Sequence, residues 1–537
     1  MESSSASLSP SPPAVPFEQA LGRFAVRRYG AAVALVLMLM AINVFAGLGS
    51  VSINDSDEAR YGVSAWEMLQ NRSFIVTTYA GQPEYWNLKP PLGYWLIALS
   101  FWIFGPTTFA LRLPAALCAI GAVAIAMDLS RRWFGRRVSL LTGLFLATAY
   151  GFLTNHGARS GDLDSALTLV LLMATFEVSR FGKSPWRVVS VGFLLGIGFL
   201  LKSFAILPLV ATAGLYALWT GSWRRQRLLP CVLAFLALAL PVTAWAAARV
   251  HADGSAYFLE RMVREDLLAR STTIIDKVTY SPFGYVGTLF DRFAPWPLLI
   301  VIAVCLAAWR ERSRLRVLGR RLTRGWLPLA LLWALVPLVL FSLSRTQHHW
   351  YLDPSYPAWA MLGALAVLEL VRRAPPARRR AALLACLLVP LSLCEVRVLY
   401  RVLLAERTPA SQRFLLSLAQ HRVELGGELW TGQLLHSERF ILEVMDGFQV
   451  QEVKQDRSVP PSGPHEEPSV LIAKATPGPH PQPQLGSGIF LESKDYLLFQ
   501  GASDIAGRAS SVRPPRSHHF GRRPRLWRGP RSRVAPS

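Results

Sequence analysis

The chain has 537 residues, of which 52% are hydrophobic and only 17% are charged, and its formal net charge is +23. An ordinary soluble domain carries about 25% charged residues, so this composition excludes that class and indicates an integral membrane protein. Most Lys and Arg residues stand in short clusters between apolar runs, which favours the positive-inside rule over nucleic-acid binding as the origin of the charge.

The N-terminal part predicts a disordered tail over residues 1–29, because it is rich in Ser, Pro and Ala. Arg23, Arg27 and Arg28 before the first apolar run predict that this tail is cytoplasmic. The first apolar run, about 31–48, is too long for the hydrophobic region of a typical signal peptide, so it predicts a first membrane span. A polar outer loop follows at about 51–90. The short apolar run 91–104 opens with prolines and predicts an interfacial helix.

Further apolar runs predict the remaining spans, with the basic clusters up to residue 380 all on one side of the membrane. These runs lie near 111–129, 138–154, 165–181, 188–220 (a tight pair that turns near Lys202), 228–248, 284–309, 326–343, 356–371 and 381–400. We therefore predict an all-α polytopic membrane domain over residues 30–402, with about 11 to 13 transmembrane helices.

The C-terminal part is not membrane-like. Residues 403–506 have mixed polarity and predict a small soluble α/β domain on the outer side. Residues 507–537 are rich in Arg and Pro and predict a disordered tail.

Four polar groups fall on the outer face, at the border of the membrane, where ionisable residues suggest function. The first contains Asp57, Glu58, Arg60 and Tyr61. If a helix starts near Glu58, three of them share one face. The competing interpretation is a capping box formed by Asp55 and Glu58, and spacing alone leaves both open.

The second and third groups flank other apolar segments. Lys89 stands at the head of the interfacial helix, where it could bind a lipid phosphate or extend to the membrane surface as an ordinary interfacial lysine. Arg159, Asp162 and Asp164 lie between two spans, where they form either a site or an ordinary polar loop.

The fourth group contains Arg345, His348 and His349, which could bind phosphate. Adjacent histidines point apart on a helix or strand, so a two-histidine metal site is not predicted. The sequence has no Walker A loop and no HExxH or GxSxG motif, which argues against an ATP-driven pump and the common hydrolases.

Taken in order, these segments resemble the polyprenyl-phosphate-sugar glycosyltransferases, which include the lipid A aminoarabinose transferases and the protein O-mannosyltransferases. The resemblance covers roughly residues 30–360. The matching segments are Asp57-Glu58-Ala59-Arg60-Tyr61, Lys89-Pro90-Pro91-Leu92-Gly93-Tyr94-Trp95, Ala110-Leu111-Arg112-Leu113-Pro114, Ala158-Arg159-Ser160-Gly161-Asp162-Leu163-Asp164 and Gly198-Phe199-Leu200-Leu201-Lys202.

The resemblance implies the GT-C membrane fold, with catalysis in the first outer loop. Asp57 would be the catalytic acid or base, Glu58 its neighbour, and Asp164 an acid near the site. The residues facing the carrier phosphate would be Lys89, Arg60 and Lys202. The implied partners are a polyprenyl-phosphate-linked sugar, a lipid or protein acceptor and membrane lipids, with no nucleic acid, at the outer face of a bacterial inner membrane.

Two departures from the family pattern concern the sugar and the acceptor. Leu88 replaces an acid before the Lys-Pro pair, and Gln347, His348 and His349 stand where many members have lysine. No metal site is carried over from the family, and a divalent metal stays possible. The alternative function is a lipid-linked sugar transporter or flippase that uses the same charged residues without chemistry.

Overall fold

A computed structural model describes residues 27–500, apart from Val51, Asn155 and the ranges 275–279, 311–325, 403–407, 423–427, 432–433, 453–469, 475–487 and 493–495. Most of the predicted N-terminal tail, the basic loop before residue 325 and the whole Arg/Pro-rich tail therefore lie outside the described residues.

The region before residue 403 is built from helices. They are α1 (Tyr29–Phe45), α2 (Asp57–Asn71), α3 (Leu92–Phe104), α4 (Thr108–Phe134), α5 (Arg136–Ala147), α6 (Tyr150–Leu153), α7 (Asp164–Val178), α8 (Arg187–Lys202), α9 (Leu207–Thr220), α10 (Leu228–Asp253), α11 (Tyr257–Arg261), α12 (Arg270–Thr272), α13 (Gly284–Arg292), α14 (Trp296–Arg310), α15 (Leu327–Leu343), α16 (Tyr356–Arg373), α17 (Arg379–Leu383) and α18 (Val389–Tyr400). Shorter 3₁₀ or π turns connect several of them, including Ser203–Ile206, Met262–Ala269 and His349–Ser355.

Five helical segments of the described chain are long and apolar enough to cross a membrane, or six if the bent pair α13 and α14 counts as one span. Three shorter apolar helices, α1, α3 and α15, accompany them. The helical, multi-pass architecture is confirmed. The predicted number of about eleven spans is larger than helix length alone supports, because several apolar helices have fewer than 18 residues.

The segment from α8 to α9 is continuous in helical character and counts as one candidate span of 34 residues, but it is not straight near Lys202. A Cβ on Gly198 would lie 2.9 Å from Ile206, which a straight helix would carry about 12 Å away. Ser203 at this turn has a φ of +44°. The predicted break near Lys202 is therefore present and places Lys202 at the end of α8, but the two halves count as one candidate span and not as the predicted pair.

The outer loop at about 51–90 contains α2 and a short hairpin of β1 (Thr78–Tyr79) and β2 (Gln82–Pro83), and α3 follows it. At 13 residues α3 is about 20 Å long, shorter than a hydrocarbon layer of about 30 Å. This length agrees with the predicted interfacial helix. Leu99, Trp102 and Phe104 on α3 are more than half exposed.

The C-terminal part forms the predicted small α/β unit. It contains α19 (Ala410–Leu418), α20 (His436–Arg439) and a five-stranded sheet in the order β4-β3-β5-β7-β6. The strands are β3 (Glu428–Thr431), β4 (Gln449–Glu452), β5 (Val470–Lys474), β6 (Gly488–Glu492) and β7 (Tyr496–Gln500). Strand β3 pairs in parallel with β4 and β5, and β7 pairs antiparallel with β5 and β6.

This α/β unit packs against the outer loop. The Gln412 side chain accepts a hydrogen bond from the Ile53 amide and donates one to the Ile53 carbonyl. The Ser437 amide donates to the Asp55 carboxylate at 2.9 Å, and Phe440 packs against Gly62 of α2. The unit therefore fixes the position of α2.

Candidate functional site

A cavity of about 530 Å³ opens where the outer loop meets the membrane helices. Its charged and polar lining includes Asp55, Asp57, Arg60, Lys89, His156, Asp164, Lys202, Ser203, Asp266, Arg270 and His348. Its apolar lining includes Leu167, Leu171, Phe204, Leu207, Leu209, Trp333, Pro337, Leu340 and Phe341. Along α7, Asp164 is followed after one and two turns by Leu167 and Leu171, so the cavity has a charged end and an apolar end.

Helix α2 begins at Asp57 and presents Asp57 and Arg60 to the cavity, one turn apart. The Arg60 guanidinium lies 3.4 Å from the Asp57 carboxylate and 4.5 Å from the centre of the Trp86 ring. The Asp57 side chain keeps 26% of its surface exposed. Asp57 is therefore a carboxylate that a substrate can reach.

Glu58 points away from the cavity and holds three segments together. Its carboxylate accepts hydrogen bonds from Nε and Nη2 of Arg112, at 2.6 and 3.0 Å, and neither side chain is more than 1% exposed. It also accepts from the amides of Asn54 and Gly161. The predicted capping box with Asp55 does not form, because the Asp55 carboxylate bonds to Ser437. Glu58, predicted as a catalytic residue, is thus placed as a support for the loop beside Asp57.

Arg159 has a similar supporting position. Its guanidinium donates to the carbonyls of Asn43, Val44 and Ala46 at the C-terminal end of α1. Basic side chains commonly satisfy carbonyls at this end of a helix. Arg159 does not line the cavity, and it connects the loop before α7 to the end of the first span.

Asp164 and Lys202 form a buried ion pair at the cavity wall. The Lys202 Nζ lies 2.6 Å from both oxygens of the Asp164 carboxylate, although the two residues are 38 positions apart. The turn after α8 brings the lysine to the start of α7. Both predicted residues therefore reach the site, as partners of each other.

Lys89 meets a carboxylate that the sequence analysis did not single out. Its Nζ donates to Asp266 at 2.7 Å, and Ser203 and Arg270 also donate to Asp266. Burial opposes ionisation of this acid, but the neighbouring Lys89 and Arg270 outweigh it, so the pKa of Asp266 lies below its usual range. Asp266 and Arg270 lie in the polar stretch after α10. In the sequence, the one signal for these two residues was that this stretch was predicted on the outer side of the membrane.

The remaining predicted residues lie at different distances from the cavity. His348 lines it. Tyr61 is buried with its ring edge on Tyr94, and this burial raises the pKa of Tyr61 well above its usual value. His349 lies behind the lining, 6.3 Å from the His156 ring. The Arg345 guanidinium lies over Tyr280 and is not among the lining residues, so the predicted phosphate contact has no support in this geometry.

Three side chains of the described residues could together hold a metal ion. Asp57, His156 and Asp162 each offer one ligand atom, and these atoms lie within 4.8 Å of one another. Asp162 was predicted from its motif as a site residue, and its other oxygen accepts a hydrogen bond from Ser160 at 2.7 Å. His156 was quoted in the same segment, but no spacing rule connects it to Asp57.

Comparison with known proteins gives matches in sequence and in fold. Residues 88–245 match a family model described as dolichyl-phosphate-mannose-protein mannosyltransferase. The undecaprenyl phosphate-alpha-4-amino-4-deoxy-L-arabinose arabinosyl transferase of Pseudomonas aeruginosa is 30% identical over 348 residues, 63% of this chain and 60% of that protein. The protein of the same name from Erwinia tasmaniensis is 29% identical over 57% of this chain and 54% of its own length. The chain therefore matches at most about 60% of the length of these relatives.

Among solved structures, the crystal structure of ArnT from Cupriavidus metallidurans bound to undecaprenyl phosphate matches with a TM-score of 0.64. The match covers 90% of this chain and 99% of that chain at 18% identity, and at this identity it shows the fold. Its apo form matches with a TM-score of 0.56. The chain is therefore related, in sequence and in fold, to the polyprenyl-phosphate-sugar glycosyltransferases that its motifs resemble.

Proposed function

We propose that this chain is a membrane glycosyltransferase that takes a hexose or pentose from a polyprenyl-phosphate carrier and transfers it to a lipid or protein acceptor. The observation that carries the proposal is the cavity itself. It joins an accessible carboxylate, a group of cations and an apolar end in one continuous space. In a lipid-linked sugar, the sugar, the phosphate and the hydrocarbon chain follow one another in the same order.

The cations would bind the phosphate of the carrier. Lys89 and Arg270 both contact the single carboxylate of Asp266, so these three side chains carry one net positive charge. Lys202 pairs with Asp164 and is the chain neighbour of Ser203, which bonds to Asp266. Fixed cations in a site that excludes water stabilise negative charge that develops on a leaving group. A departing lipid phosphate is such a group.

Asp57 would act as the general base. In the proposed reaction the acceptor oxygen bonds to the anomeric carbon, the bond from that carbon to the phosphate oxygen breaks, and Asp57 takes the proton of the acceptor hydroxyl. The products are the glycosylated acceptor and the polyprenyl phosphate. Arg60, 3.4 Å from Asp57, would orient the carboxylate.

The apolar end of the cavity would hold the first isoprene units of the carrier. Its walls come from α7, α9 and α15, which carry Leu171, Leu207 and Leu340 into the lining. Leu207 is 43% and Leu340 is 39% exposed, so this side of the cavity has apolar surface open toward the lipid. A polyprenyl chain could therefore extend from the cavity into the membrane.

The site would face the periplasm from the inner membrane. This placement rests on the basic clusters, which the positive-inside rule assigns to the cytoplasm, and on the outer loop and α/β unit at the opposite side. The names of the relatives suggest undecaprenyl phosphate as the carrier. The family model, described by protein mannosylation, keeps a protein acceptor open beside a lipid one.

Mass spectrometry of envelope glycolipids and glycoproteins tests the proposal in cells that lack the chain, express it, or express Asp57→Asn. We expect a sugar-bearing product only with the unaltered chain. The purified chain in detergent should also release polyprenyl phosphate from a polyprenyl-phosphate sugar when acceptor is present. A flippase would release none in detergent, where no second leaflet exists. Products that are identical in all three strains would contradict the proposal.

A further inference from the structure

We propose that a second cavity, at the opposite end of the membrane helices from the candidate site, binds one anionic phospholipid. This cavity has a volume of about 850 Å³. We call it the basic-end groove, because arginines surround it. The proposal is argued from the residues of the groove itself and does not rest on the proposed sugar transfer.

Two helices connect the basic-end groove with the candidate site. Helix α7 places Asp164 in the first cavity and Glu177, 13 residues later, in the groove. Helix α8 places Ser190 in the groove and Lys202 in the first cavity. At a rise of 1.5 Å per residue these separations are about 18 to 20 Å. The groove is therefore a distinct site at the other end of the same helices.

The walls of the groove are apolar. Helix α7 lies in the middle, because it packs against both α4 and α8, and α8 packs against α10. The apolar lining includes Ile125, Met173, Phe193 and Leu194. Phe193 is 54% exposed, so the groove opens toward the membrane. Along α8 the lining runs from Val189 to Leu194, about 8 Å. A volume of about 850 Å³ over this length makes the groove wide, which suits two acyl chains better than one.

Two arginines hold the first acid at the rim of the groove. Nη2 of Arg131 lies 2.6 Å from one carboxylate oxygen of Asp128, and Nε of Arg132 lies 2.6 Å from the other. The Arg132 guanidinium also lies 5.5 Å from the centre of the Phe176 ring. The two arginine side chains remain 41% and 48% exposed. Asp128 therefore fixes two guanidinium groups that are still accessible from outside.

The second acid at the rim has the same arrangement. Glu177 pairs with Arg180 at 3.6 Å and with Arg187 at 3.0 Å. The Arg180 guanidinium lies 4.1 Å from the centre of the Phe176 ring, and the Arg187 side chain is 41% exposed. Four arginines thus stand beside two acids, which leaves two net positive charges at the rim. Guanidinium groups bind phosphate through paired N–H donors, so an anionic phosphate headgroup complements this rim.

An exposed tryptophan marks the depth of the rim in the membrane. Trp186 immediately precedes α8, next to Arg187, and is 53% exposed. Tryptophan is enriched where the membrane meets water. The arginines therefore lie at the level of the phospholipid headgroups, and the apolar walls lie at the level of the first methylenes. The positive-inside rule assigns these arginine clusters to the cytoplasmic side, where basic pockets between membrane helices bind anionic lipid headgroups.

Native mass spectrometry of the purified, delipidated full-length chain tests the site without an activity assay. Phosphatidylglycerol and phosphatidylethanolamine with identical acyl chains are added separately to the protein in detergent. We expect one phosphatidylglycerol per chain, bound more tightly than phosphatidylethanolamine, which carries no net charge. Arg132→Gln combined with Arg187→Gln should weaken phosphatidylglycerol binding about 10- to 30-fold, the effect expected for two basic residues beside an anionic lipid. Arg372→Gln combined with Arg378→Gln, a matched change at two exposed arginines of another basic cluster, should leave binding unchanged.

Two further measurements separate the groove from its charged rim. Ser190→Phe fills the groove without changing its charges, so it should also weaken phosphatidylglycerol binding. In the unaltered chain, phosphatidylglycerol with a photoreactive diazirine near the start of one acyl chain should label peptides of α7 or α8.

The proposal is overturned if phosphatidylglycerol binds no better than phosphatidylethanolamine, or if polyprenyl phosphate displaces it at equal concentration. It is also overturned if a folded Arg132→Gln, Arg187→Gln double variant or a folded Ser190→Phe variant binds phosphatidylglycerol unchanged. Labelled peptides that all lie outside α4, α7, α8 and α10 would overturn it without any variant.

Discussion

Two neighbouring acids on α2 should respond to substitution in opposite ways. Asp57 lines the cavity and is partly exposed, whereas Glu58 is fully buried against Arg112. Asp57→Asn should reduce transfer about 10²- to 10⁴-fold, the usual contribution of a general base, or about 2.7 to 5.5 kcal/mol of activation free energy. The free energy of unfolding should fall by only about 0.3 to 1 kcal/mol, the usual contribution of one acid in the first turn of a helix.

Glu58→Gln should instead unfold the loop. It leaves the Arg112 guanidinium buried without its carboxylate, and breaking such a buried pair costs about 3 to 5 kcal/mol. The assay pairs thermal unfolding in detergent with single-turnover release of polyprenyl phosphate, for both variants. Transfer by Asp57→Asn within tenfold of the unaltered chain would refute the role of Asp57. A Glu58→Gln protein with unchanged unfolding temperature would refute the supporting role of Glu58.

Three further predictions concern the donor, the pH dependence and the α/β unit. Lys89→Ala should raise the KM for the lipid-linked donor about 10- to 150-fold, as expected for a lost charged hydrogen bond of about 1.5 to 3 kcal/mol, with little change in the KM for the acceptor. Lys183→Ala, at an exposed position, is the control. An unchanged donor KM would exclude a contact between Lys89 and the carrier phosphate. Burial raises the pKa of Glu84 from 4.5 to about 8, so the folded chain should lose stability as pH rises from about 4.5 to about 8. Unfolding temperatures should therefore favour Glu84→Gln increasingly between about pH 5 and about pH 8.5, and a constant difference would contradict the burial of this acid. Gly62→Ala places a Cβ 2.3 Å from the Phe440 ring, so it should lower the free energy of unfolding by about 1 to 3 kcal/mol. Adding Phe440→Leu to this variant should restore part of the loss. Equal unfolding temperatures for the single and the double variant would show that the two elements are not in contact.

The local features of this protein could be predicted from the sequence. Apolar runs gave the helices, because hydropathy and charge along the chain are local properties that the membrane selects directly. The short run before Gly105 gave a short apolar helix for the same reason. The motifs also identified several residues that line the cavity, among them Asp57, Lys89 and Lys202.

The partners of those residues were decided by tertiary packing alone. Lys89 meets Asp266 across 177 positions, and Glu58 meets Arg112 across 54, distances over which no periodicity relates one side chain to another. Which of two adjacent acids faces the cavity depends on where the C-terminal unit holds α2. The sequence by itself predicted that charged groups would collect at the rim of a membrane domain. Only the folded chain determined which of them are satisfied by each other and which remain available for a ligand, because burial and orientation arise from contacts between distant segments.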